Sequence, residues 1–197
     1  QEFYQQEEII PTLQNAPFAR YTDGLPITVP TEERVARMLK GTSHKPDELI
    51  VFHEDHQVGD RSFQMGNTGK KDEPVCFLPM KRTATVEKVA TIAVMAGCEP
   101  EFLPLVLAIA ESGGGCGDGR GGGGYCVSGP IGREIGMNFD VNILGPGNPA
   151  NRSIARAAEL MWRNFGGEIP SVNNCGVLGN GLANCFPENA EALPPGW

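Results

Sequence analysis

Clustered basic residues are missing from this sequence: 16 Lys and Arg are scattered among 24 Asp and Glu, for a formal net charge of −8. Phosphate-backbone recognition needs a basic patch, so nucleic acid is not an expected partner. No apolar run approaches the ~18 residues that span a bilayer, so no membrane partner is expected either. The opening QEFYQQEEII lacks the basic n-region and apolar h-region of a signal peptide. Histidine is scarce at 3 residues, and neither HExxH nor GxxxxGK[ST] occurs. That excludes a zincin helix and an ATP-type phosphate loop. No solenoid repeat is visible. Cysteine is sparse too: 6 in 197 residues is far below disulfide-scaffold density. A chain of this length buries about 70% of its unfolded surface and needs no staples. A reducing, cytoplasmic compartment is the expectation.

What is present is ordinary globular composition, with 40% hydrophobic and 20% charged residues. We expect an α/β or α+β fold in one domain over 31–197, preceded by an extended, Pro-containing arm over 1–30. Thr31 reads as an N-cap, with Val35, Met38 and Leu39 as the helix stripe and Gly41 as its end. Leu49–Phe52 and Val75–Leu78 are strand candidates separated by a polar loop over 59–73. Val86, Val89, Ala90, Ala93 and Val94 recur at helical spacing, and Gly97 closes that helix. Pro100 sits where a second, buried helix begins, making a helix hairpin with Cys98 in its turn. The Gly113–Gly124 run forms no packed element. A third helix opens after Gly145-Pro146-Gly147-Asn148-Pro149, capped by Asn148, and its stripe runs from Ile154 to Phe165. The tail over 168–197 is loop-rich. The hairpin and third helix are expected to cover a small sheet.

The blocks ATVEKVATIAVMAGCEPEFLPLVLA, GPIGREIGMN and LGPGNPANRSIARA, with the late CFPEN segment Cys185–Asn189, carry a family likeness. They resemble a bacterial family whose members look like companions of thiol and selenol proteins bearing a UGSC motif. The likeness runs roughly over residues 21–192. It breaks at 112–125, where the glycine run replaces a longer, more ordinary connection. The resemblance implies thiol chemistry in a bacterial cytoplasm.

Cys98 is the first chemical candidate. A thiol just before a helix start lies near unpaired N–H groups and the positive dipole end, which favour thiolate. Against this stand Glu99 and Glu101, which raise a thiol pKa, and the habit of free Cys to act as a small buried hydrophobe. The second candidate is the glycine turn before the third helix. Gly145, Gly147 and Asn148 leave amides free for a carboxylate or phosphate, and Arg152 is about one turn further on. Ser128 and Arg133 supply a possible second wall. The plain alternative is helix capping and tight turning.

Cys116–Cys126 and Cys175–Cys185 each enclose nine residues and each begin Cys-Gly. Free thiols, two covalent loops and a shared zinc all remain open readings. His53-Glu54-Asp55-His56 is the one histidine cluster, and an exposed polar turn is the favoured reading, with no metal ligand assigned. Together these residues suggest a thiol-dependent enzyme for a small anionic metabolite, with Cys98 as nucleophile or redox thiol and Cys185 as its resolving partner. Gly145, Gly147, Asn148, Arg152, Arg133 and Ser128 would hold the anion. No cofactor is named by the sequence, and a homo- or hetero-oligomer is open. The alternatives are a non-catalytic subunit of a thiol-enzyme complex, and a secreted disulfide-bearing structural protein.

Overall fold

The computed structural model describes residues 21–55, 69–113, 124–169 and 184–196. These contain five α-helices and one two-stranded parallel sheet, an α/β arrangement that is mostly helical. Helix α1 (Glu32–Met38) starts at Thr31, whose hydroxyl accepts from the Arg34 amide at 3.4 Å. Helix α2 (Val86–Ala96) starts the same way at Thr85 and ends at Gly97 with φ +84°, the left-handed turn that glycine adopts without strain. Helix α3 (Leu103–Glu111) begins later than Pro100 suggests. Residues Pro100–Phe102 form a 3-10 turn first, with Pro104 then in the opening α turn, where a missing amide costs nothing.

Strand β1 (Gly124–Val127) pairs with β2 (Asn184–Pro187) in the register Tyr125↔Cys185 and Cys126↔Phe186. Between them the chain makes the short helix α4 (Ile131–Glu134) and the long helix α5 (Pro149–Met161). Strand β2 falls in the tail read as loop. Four residues ending in proline give little alternating signal, and Pro187 is tolerated because the next amide, Glu188 N, makes the bond to the Val127 carbonyl at 2.8 Å. Leu49–Phe52 is extended but forms only isolated antiparallel bridges, Leu49↔Thr85 and Val51↔Pro74. Its amides still pair, Ile50 N to the Ala84 carbonyl at 3.0 Å and Phe52 N to the Glu73 carbonyl at 3.0 Å. The bridges stay isolated because the Ile50 amide goes to Ala84 and the Phe52 carbonyl accepts from Asp72 at 2.7 Å.

The buried side chains form one continuous cluster. Val86, Val89, Ala90 and Ala93 of α2 and Leu103 and Val106 of α3 pack against Ile154, Ala157, Leu160 and Met161 of α5. Helix α5 also covers β2, so the hairpin and the long helix sandwich the core above the small sheet. After Met161 one π turn, Trp162–Gly166, widens the helix before Gly167 ends it at φ +76°. No described helix is long and apolar enough to cross a membrane.

The described part of the arm, residues 21–30, bends through 21–25 and is tied down. Thr28 N donates to the Met95 carbonyl at 3.3 Å, and Asn164 Nδ2 donates to the Tyr21 carbonyl at 2.9 Å. Arg156 Nε and Nη2 donate to the two Asp23 oxygens at 2.7 and 2.8 Å. Burial pushes Asp23 upward, but the bidentate guanidinium outweighs it and holds the carboxyl below its usual range. The pair therefore stabilises the fold above the ordinary carboxylate pKa and is lost as pH falls through the lowered value. Asp23→Asn should cost about 3 kcal/mol, because Arg156 is left half-paired at a site where both side chains are mostly buried. Urea unfolding at neutral pH checks this, and the deficit should shrink in acid.

A close backbone contact fixes the end of α1 on the hairpin turn. A Cβ at Gly41 would overlap the carbonyl of Pro100. Gly41→Ala is expected to cost about 2 kcal/mol, a drop in melting temperature of roughly 4–8 °C for a chain of this size.

Candidate functional site

The two cysteines singled out from the sequence come together in the fold. Cys98 lies in the hairpin turn, and Cys185 on β2 is close enough to influence its charge. Helix α5 lies against both, and Ser153, one turn in from its start, hydrogen-bonds the Cys98 thiol. The Ser153 hydroxyl itself donates to the Pro149 carbonyl at 2.7 Å. The neighbourhood expected from sequence is therefore present. The electrostatics expected there are not.

Cys98 is 8% exposed, and burial above all pushes its thiol up to about 12. Glu99 and Cys185 push in the same direction, while Ser153 and Arg156 pull back only in part. The dipole argument fails for a local reason. The Cys98 amide is spent on the Ala93 carbonyl at 2.9 Å, closing the C-terminal end of α2. Residues Pro100–Phe102 then make a 3-10 turn, not the start of an α-helix. Arg156, the cation that acts on Cys98, is already paired with Asp23. Cys185 is 2% exposed and is likewise pushed to about 12, again chiefly by burial. Both sulfurs are thiols at neutral pH.

The glycine turn before α5 is occupied by its own side chains. Asn148 makes no capping hydrogen bond to α5. Its Nδ2 donates to the Asn142 carbonyl at 2.6 Å and the Gly145 carbonyl at 3.2 Å, and its Oδ1 accepts from Asn138 Nδ2 at 3.0 Å. Asn151, 2% exposed, accepts from Asn138 N at 2.9 Å and donates to the Asn138 carbonyl at 3.2 Å. Gly145 lets the Asn142 side chain in where a Cβ would overlap it, and Gly147 sits at φ +89°. These glycines serve a loop wired by four asparagines, which answers the alternative of tight turning. Pro149 does open the helix, as its fixed φ favours. Arg133 pairs with Glu191 at 3.2 Å and lies 4.6 Å over the Phe139 ring. Ser128 is exposed in the turn after β1, and Arg152 is half-buried on α5.

Cations do gather near Cys98, but from a segment whose sequence showed only a capped helix. A cleft of about 140 Å³ is bounded by Arg34, Arg37 and Met38 of α1 and by Gly97, Cys98 and Glu99 of the hairpin turn. Arg37 Nη2 meets Glu99 Oε2 at 2.9 Å on the rim, and Arg34 Nη1 donates to the Val29 carbonyl at 2.9 Å. Drug-sized ligands take about 300–1,000 Å³, so this cleft suits a small ion or metabolite fragment. The spacing of Arg34 and Arg37, one helical turn apart, was the available signal. Without the hairpin beside it, such a pair is just an exposed helix face.

A second group sits at the far end of the hairpin. His53, just past the Leu49–Phe52 segment, places Nε2 3.2 Å from Glu111 Oε1 at the last residue of α3. His44 joins them, with one ligand atom from each residue lying within 4.8 Å of the others. His44 Nδ1 is 2.7 Å from Glu48 Oε2. His56 lies outside the described residues, so the HxxH pairing has a different counterpart here, His44 with His53. Cys116, Cys175 and most of the Gly113–Gly124 run also lie outside them. Among the described residues Cys98, Cys126 and Cys185 carry free thiols, and the other ends of the two nine-residue loops lie outside the described residues.

Comparison with family models, curated proteins and solved structures finds no match to this chain.

Proposed function

We propose that this protein binds a small anionic molecule in the cleft between α1 and the hairpin turn, with Cys98 and Cys185 as the thiol centre of a cysteine-dependent reaction. The observation that carries the reading is the placement of Cys98 on the wall of a cleft edged by two guanidiniums. An anion there gains charge-assisted hydrogen bonds from Arg37, whose present partner Glu99 is itself well exposed and easily exchanged. The two thiols rest in their protonated form, so covalent chemistry at Cys98 requires its proton to leave in a conformation opened by ligand. Ser153 is the hydroxyl that favours the thiolate of Cys98. The free thiols of Cys98, Cys126 and Cys185 suit a reducing, cytoplasmic setting.

The burial that protonates the sulfurs favours a second reading, a non-catalytic subunit that binds the anion and works within a hetero-oligomer. Both readings require the cleft. Sulfate at about 100 times its Kd should stabilise the fold by about 2.7 kcal/mol, seen as a rise in melting temperature over a chloride control of equal ionic strength. An Arg34→Ala/Arg37→Ala double variant should lose that rise. If it responds to sulfate as the parent does, the cleft is not the site.

A further inference from the structure

The structure assigns a divalent transition-metal site to His44, His53 and Glu111, with Glu48 holding His44. It lies apart from the Cys98 cleft and does not depend on that reading. Three segments converge to make it: the turn before Leu49, the end of the Leu49–Phe52 segment, and the last turn of α3. The set of two imidazoles and one carboxylate suits zinc or ferrous-type ions, while calcium and magnesium prefer all-oxygen cages.

The geometry is close to what an ion demands. Bonds of about 2.0–2.1 Å in a tetrahedral site place ligand atoms roughly 3.3 Å apart. His53 Nε2 and Glu111 Oε1 already stand at 3.2 Å. The third ligand atom lies within 4.8 Å, a gap that side-chain rotation closes. The Glu48 contact supplies an independent argument. Its carboxylate stands 2.7 Å from His44 Nδ1 and can only accept there, which puts the ring proton on Nδ1 and the lone pair on Nε2. Metal-binding histidines are commonly held this way. Glu111 is the anchored member, with a side chain 15% exposed, while His53 at 53% leaves the outer face open. Three protein ligands and an open fourth position describe a site that holds water or an exchangeable anion, not a closed structural one.

The test uses the full chain, stripped with a chelator, kept reduced, and titrated with Zn2+ or Co2+ alone. One ion per chain should bind, and the Co2+ form should show nitrogen and oxygen ligation with no thiolate-to-metal charge-transfer band. His53→Gln and His44→Gln should each weaken binding by at least 100-fold, and Glu48→Gln by about 10- to 100-fold. All three positions are exposed enough to leave the melting temperature of the metal-free chain near the parent value. No binding overturns the assignment. So does a charge-transfer band that survives in the His44→Gln/His53→Gln variant, because the ion is then on cysteine.

Discussion

At pH 7 iodoacetamide is expected to label Cys126 and to leave Cys98 and Cys185 almost untouched. The thiolate is the reacting species. Raising a thiol from its ordinary 9.0 to about 12 lowers the thiolate fraction about 1000-fold. Limited access multiplies that loss, since Cys98 and Cys185 are buried and Cys126 is exposed. Peptide mapping after short exposure reads the order directly, and full denaturation should make all six cysteines reactive. Rapid labelling of Cys98 in the native chain would restore the activated-thiol reading from the helix-start argument. The same shifts set an alkaline limit. A raised folded pKa gives stability that is whole below the unfolded value and is lost as pH rises toward the folded one. Stability should thus fall between about pH 9 and pH 12, with Cys98 contributing on the order of 4 kcal/mol to the loss. Cys98→Ala should flatten this alkaline decline. Equal slopes for parent and variant would mean that the sulfur is not desolvated.

Asn151→Ala should be among the most damaging single changes, at about 3–4 kcal/mol and roughly 6–16 °C in melting temperature. The side chain bridges α5 to the loop before it, pairing both the amide and the carbonyl of Asn138. Its removal leaves those part-buried groups without partners, and a buried group in that state costs about 1–3 kcal/mol. Asn142→Ala tests the contrast. Asn142 is exposed, so its lost bond to the Pro146 carbonyl is replaced by water and should cost under about 1 kcal/mol. A comparable loss at both positions would show that the loop owes its shape to something other than buried hydrogen bonding.

Much of the helical frame was legible because its signals are local. Thr31 and Gly97 cap where their chemistry says they should, and the stripe of α2 is buried as its spacing predicts. The sheet was legible in size but not in membership. Strand β2 gains its partner from β1, far back along the chain, and nothing within NCFP announces that pairing. The same separation divides what was read at the site from what was missed. Cys98 and Cys185 were selected from the sequence and do meet. The pKa of Cys98 was misjudged, because a turn between two helices belongs electrostatically to both. Here the C-terminal end of α2 claims the amide and the helix after it begins as a 3-10 turn. The anion was sought at Gly145–Asn148, where glycine and asparagine make capping and loop wiring look alike until carbonyl partners are known. The Arg34/Arg37 wall and the His44/Glu111 ligands depend on segments that touch only in the fold.

An amide NMR titration with sulfate tests the anion cleft most directly, since it reports position as well as affinity. Saturable shifts should centre on Thr28, Gly97, Cys98 and Glu99, the backbone around the cleft. Shifts centred on Gly145 to Arg152, or none that saturate, would contradict it.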